Sequence, residues 1–135
     1  MCRRSLPLIA LVVLVAACSS DLPTAPAEEA GRSLVQEVTG LEIGLSDSCP
    51  PAALATVHVG ITPCDELLPA QVIRDGQTLT IRLEVEREAQ TCILPIVGKT
   101  VEVGLGSDLA PGEYRVLVPS LSTRVGDETF QVTDC

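Results

Sequence analysis

Between residues 79 and 86 every second side chain is apolar: Leu79, Ile81, Leu83 and Val85 alternate with Thr80, Arg82, Glu84 and Glu86. In a strand, successive side chains point to opposite faces, so this register puts all four apolar groups on one side. A helix would scatter them around its circumference. The stretch therefore predicts a strand with one buried face. The same period of two recurs in Leu41, Ile43 and Leu45, in Ala55, Val57, Val59 and Ile61, in Val101, Val103 and Leu105, and in Tyr114, Val116 and Val118. Val35 and Val38 are spaced more loosely, which suggests a bulge or break near Gly40. Asp75-Gly76 suits a tight primed turn that brings Gln71–Arg74 back as a hairpin. Cys49-Pro50-Pro51 stops the strand before it, since neither proline can donate to a ladder, and Pro95 suits Thr91–Val97 to an edge position. Arg124–Glu128 makes a final turn, and Phe130 and Val132 close the chain. Seven or eight short strands with turn signals every ~8–12 residues, and no helical period, predict an all-β fold: a single antiparallel β-sandwich over residues 33–135.

The first 17 residues follow a different rule. Arg3 and Arg4 precede an apolar run from Leu6 to Ala17, in the order of a secretory signal peptide: a basic start, a hydrophobic stretch, then small residues at a cleavage point. As a helix the twelve residues of that run would span ~18 Å, against ~30 Å for a hydrocarbon core, so they are too short to anchor the chain. Val15-Ala16-Ala17-Cys18 resembles the lipobox of bacterial lipoproteins. That resemblance implies cleavage between Ala17 and Cys18, a diacylglycerol on the Cys18 thiol, and N-terminal fatty acylation such as palmitate. The membrane would then be a partner through lipid alone. Residues 18–32, with Pro23 and Pro26 and no apolar periodicity, read as a flexible linker that could hold the fold ~40 Å from the bilayer. Ser19 is not the aspartate tied to inner-membrane retention in enteric bacteria, so the resemblance favours an outer-membrane lipoprotein facing the periplasm.

Loss of residues 1–17 leaves 118 of the 135 residues, enough for one domain with one core. Arg3 and Arg4 leave with them, so 7 basic residues face 18 acidic ones, a formal charge of −11. Such a surface repels phosphates and argues against nucleic acid as a partner. With one Tyr, one Phe and no Trp, the side chains that dominate recognition hot spots and sugar stacking are scarce. Cys49, Cys64, Cys92 and Cys135 remain after Cys18. An even count in an exported domain reads as two disulfides. The spacings match no zinc pattern, and the chain has no C-x-x-C for redox exchange.

The last quarter carries Leu109-Ala110-Pro111-Gly112-Glu113-Tyr114-Arg115-Val116-Leu117-Val118. Pro111-Gly112 fits the centre of a type II turn. The passage resembles the L-x-P-G-x-Y-x-V segment ahead of the penultimate strand in immunoglobulin-like and fibronectin-like sandwiches, with Leu109 closer to Tyr114 than in the common fibronectin spacing. The resemblance implies an Ig-like domain whose Tyr114 hydroxyl closes a corner on nearby backbone. In such a sandwich first and last strands lie side by side. That favours Cys49–Cys135 and, across the central hairpin, Cys64–Cys92.

The remaining candidates for chemistry are sparse. His58, the one histidine, falls on the solvent side of its strand with no visible partner. Asp65 and Glu66 read as an exposed loop, far short of a calcium shell. Arg82, Glu84, Glu86, Arg87 and Glu88 read as an outward, mixed-sign set. Gly104 and Gly106 precede no helix and make no phosphate loop. Ser120, Ser122 and Thr123 lie in a loop without a base. The sequence thus points to a non-enzymatic envelope lipoprotein with a structural or interaction role, without cofactor or metal. The runner-up is a binding subunit or inhibitor of another envelope protein, acting through loops at one end of the sandwich.

Overall fold

The computed structural model describes residues 31–87 and 95–135. The expected signal peptide, the Ala17–Cys18 junction, all but the last two residues of the expected linker, Glu88 and most of Thr91–Val97 lie outside them, as does Cys92. The described residues form ten strand segments: β1 (Arg32–Leu34), β2 (Glu37–Leu45), β3 (Ala53–Ile61), β4 (Asp65–Leu67), β5 (Gln71–Asp75), β6 (Thr78–Arg82), β7 (Glu84–Arg87), β8 (Val97–Gly106), β9 (Gly112–Val118) and β10 (Gly126–Val132).

Three sheets result, in the orders β2-β3-β8, β10-β9-β6-β5 and β1-β7-β4. The long alternating segment explains the third. It runs as β6, is interrupted at Leu83, and continues as β7 in the small sheet, yet Leu79, Ile81, Leu83 and Val85 stay buried throughout. One apolar row thus serves two sheets. That split, with the short β1 and β4, gives more segments than the expected seven or eight. A second difference concerns direction. β6 pairs with β9 in parallel, Leu79 opposite Val116, so the four-stranded sheet is mixed where an antiparallel one was expected. The period-two pattern specifies which face is buried and is silent on which neighbour a strand takes.

β2 carries a register shift between Val38 and Gly40, where the loosened spacing falls. The β5–β6 hairpin closes on Gly76, whose φ of 59° is in the left-handed region that glycine alone adopts cheaply. Gly112 also has positive φ, 147°, a backbone conformation that favours glycine.

The inner faces of the two larger sheets meet in one core of Val, Leu, Ile and Ala side chains, with Tyr114 as its largest member. Tyr114 is 2% exposed, stacks on Phe130 with ring centroids 5.4 Å apart, and donates its hydroxyl proton to the Ala110 carbonyl at 2.9 Å. The ring fills apolar volume while its polar tip is satisfied by the loop that leads into β9.

β2 and β10 run alongside each other across the seam between sheets. Val38 near the start of β2 meets Gly126 at the start of β10, and beyond their other ends Cys49 and Cys135 form a disulfide with Cα atoms 5.8 Å apart. The sandwich therefore has a disulfide end, shared by the 46–52 loop, the β5–β6 turn and residues 107–111, and an opposite end where β1 leads the chain into the fold. Cys64 is disulfide-bonded too, to a residue outside those described.

The Cys49–Cys135 bridge spans 86 residues. By the loop-entropy relation, replacing both cysteines with alanine lowers stability by about 4–5 kcal/mol, read as a lower urea midpoint with a steeper slope because the freed denatured chain exposes more surface. Tyr114→Phe keeps the ring and costs about 1 kcal/mol in the same measurement, the value of one net hydrogen bond.

Candidate functional site

The outer face of β2-β3-β8 follows from its register. Ala55, Val57 and Val59 of β3 point into the core, so Leu54, Thr56 and His58 point out. Pairing places Gly44 and Gly104 on either side of Leu54, Glu42 and Glu102 on either side of Thr56, and Gly40 and Thr100 on either side of His58. At the disulfide end this face opens into a groove of about 580 Å³ lined by Gly44, Leu45, Ser46, Ala52, Leu54 and Gly104 among others. Its floor is apolar: Leu45 and Leu54 are 41% and 42% exposed.

The candidates taken from sequence are not brought together. His58 is half-buried against Gly40, and its Nδ1 lies 3.0 Å from the Thr100 hydroxyl. Ser120 Oγ donates to the Arg124 carbonyl at 2.8 Å and lies 3.0 Å from Ser122 Oγ, so these hydroxyls brace their own loop. Gly104 and Gly106 border the apolar groove. Pro111 and Gly112 lead into β9 beside Tyr114. Among the described residues no group of three His, Cys, Asp or Glu side chains could hold a metal ion.

Asp65 departs from expectation. Instead of an exposed loop residue it is the first residue of β4, 8% exposed, and Arg87 on β7 donates to both its carboxylate oxygens at 2.8 and 3.3 Å. The Arg87 hydrogen bonds hold its carboxyl below the ordinary aspartate value, against the opposing effect of burial. The Thr62-Pro63-Cys64-Asp65 turn, closed by Asp65 N–H on the Thr62 carbonyl at 3.0 Å, aims the carboxylate inward. Sequence alone missed this because the partner is 22 residues away, and register alone sets Asp65 opposite Arg87. Glu84 and Glu86, read as outward, are likewise half-buried.

Charge is unevenly distributed. Arg74, Arg82, Arg87 and Arg115 each face an acid, Asp108, Glu84, Asp65 and Asp127 respectively. Arg32, Lys99 and Arg124 are the described cations without one. All three lie toward the end opposite the disulfide: Arg32 opens β1, Lys99 pairs with Val59 in the row of Val38, and Arg124 precedes β10. Glu42, Asp47, Asp75, Glu102, Glu113 and Asp134 occupy the half toward the disulfide without an ion-pair partner among the described residues.

Compared with models of protein families, with curated proteins and with solved structures, the chain matches none.

The lowered Asp65 value sets a sign. Its stabilisation is fully present above the unfolded value of ~3.9 and is lost as pH falls through the lower folded value. Asp65→Asn costs about 1–2 kcal/mol at neutral pH, the worth of hydrogen bonds to a charged group discounted for the partly exposed arginine. Urea titrations between pH 7 and 3 will show that loss shrinking with acidification, and no further loss on adding Arg87→Gln to the variant.

Proposed function

We propose that the chain is a lipid-anchored lipoprotein of the bacterial cell envelope, carrying one Ig-like sandwich that acts without catalysis in a structural or interaction role. One observation carries the anchor: Val15-Ala16-Ala17-Cys18 closing an apolar run that follows Arg3 and Arg4. The Ig-like assignment is supported by the two facing sheets, the neighbouring first and last long strands, and the Tyr114 hydroxyl on the Ala110 carbonyl. Against catalysis stand a lone histidine bonded to a threonine and hydroxyls turned onto their own loop. Ser19 favours the outer membrane, facing the periplasm, with lipid as the membrane contact and no nucleic acid partner.

The second reading, a binding subunit or inhibitor of another envelope protein, has its own observation. An exposed apolar groove and a cluster of loops share the disulfide end, away from where the linker joins the fold.

Mass spectrometry of the N-terminal peptide from cells making the full chain tests the anchor. The expected peptide begins at Cys18 and carries a diacylglyceryl thioether, and Cys18→Ser moves the protein from membranes to the soluble fraction. An unmodified Cys18 overturns the reading. Crosslinking in intact cells tests the interaction role, a single stoichiometric partner being the expected result.

A further inference from the structure

We propose that the outer face of β2-β3-β8, from the Leu54 row to the Glu42–Glu102 row, docks an extended, basic segment of a partner protein. The inference rests on the interaction role proposed above and is independent of the lipid anchor.

Three glycines on this face are the starting point. Gly98 and Gly104 have nothing within 4 Å of where a β-carbon would sit, Gly44 has only the Leu54 carbonyl at 3.9 Å, and none has positive φ. Neither backbone conformation nor internal packing asks for glycine at these positions, and glycine weakens a strand interior. The remaining physical use of a bare strand is close approach by another backbone or ligand. Gly44 and Gly104 flank Leu54 on both sides, so the exposed Leu54 stands up from a flat shelf. An apolar side chain laid on this shelf meets backbone on either side of Leu54.

The next row names the partner's charge. Glu42 and Glu102 flank Thr56, two strand spacings and therefore about 10 Å apart. Both are exposed, and neither has an ion-pair partner among the described residues. No Lys or Arg projects from this face, and the unpaired cations lie toward the other end. A second copy of the chain would bring glutamate to glutamate, so the field disfavours self-association and selects a cationic occupant. The rows lie one two-residue step apart, about 6.7 Å, the distance between side chains i and i+2 of an extended chain. The fitting segment thus presents an apolar residue to Leu54 and, two positions on, a lysine or arginine to the glutamates.

The test pans a random display library of peptides about ten residues long, enough to cross the face extended, on the full chain in detergent. Selected peptides are expected to be basic, with an apolar residue two positions from a cation, and to weaken as salt rises. Glu42→Gln with Glu102→Gln lowers their affinity about tenfold, as expected for two screened ion pairs. Gly44→Thr with Gly104→Thr abolishes binding while the melting temperature holds or rises, because the added side chains enter open space on a strand. A library without binders, binders lacking basic residues, dimerisation through this face, or peptides that bind the glycine variants equally well would each overturn the inference. Failure to find a partner in cells, with these peptides still binding, would instead count against the interaction role.

Discussion

The apolar row Leu79–Val85 is the constraint on which the rest of the structure depends. Its four side chains are at most 2% exposed, and they stay buried while the backbone leaves the four-stranded sheet and enters the small one. Alternation forces the polar residues between them outward or to half-buried sites, where Arg82 meets Glu84 at 2.7 Å. Both larger sheets lay their own alternate Val, Leu and Ile side chains toward the core this row shares. With one Tyr and no Trp, the core is built from small β-branched groups, which pack well on a pleated surface but contribute less area each than aromatic rings. The two rings present are used together, Tyr114 stacked on Phe130 between β9 and β10.

Covalent and ionic contacts then bind the ends of the sandwich. Cys49–Cys135 joins the tails of the first and last long strands, whose opposite ends meet at Val38 and Gly126. At that opposite end, the Asp65–Arg87 pair ties the small sheet together, while the hydrogen bond from Val35 N–H to the Leu83 carbonyl at 3.0 Å holds the passage between β1 and β2. The disulfide end is thereby free to carry loops and the apolar groove without those loops having to stabilise the fold. A stable framework with an uncommitted end suits a domain whose proposed work is to hold or be held.

Much of the candidate surface was written in the sequence without being readable there. Gly44, Glu42, Leu54, Thr56, Glu102 and Gly104 each sit at the outward phase of an alternating strand, so their exposure follows from periodicity. What periodicity cannot give is which strand lies beside which. Only the β2-β3-β8 order sets Leu54 between two glycines and Thr56 between two glutamates. Asp65 shows the same limit in reverse. Beside Glu66 in a proline-containing turn it has every local mark of exposure, and its burial depends on an arginine 22 residues later.

The sequence by itself determined the long alternating strands and their inward faces, the tight turn at Gly76 and the break near Gly40. These depend on contacts between residues close in the chain and on the two-residue repeat of the backbone. It also contained the lipobox-like start on which the proposed anchor rests. The tertiary structure alone decided the parallel pairing of β6 with β9, the division of one long strand between two sheets, the burial of Asp65 and the assembly of the glycine-floored face. All of these are choices of neighbour. Their free energies come from contacts between residues tens of positions apart, and no local pattern of side chains encodes them.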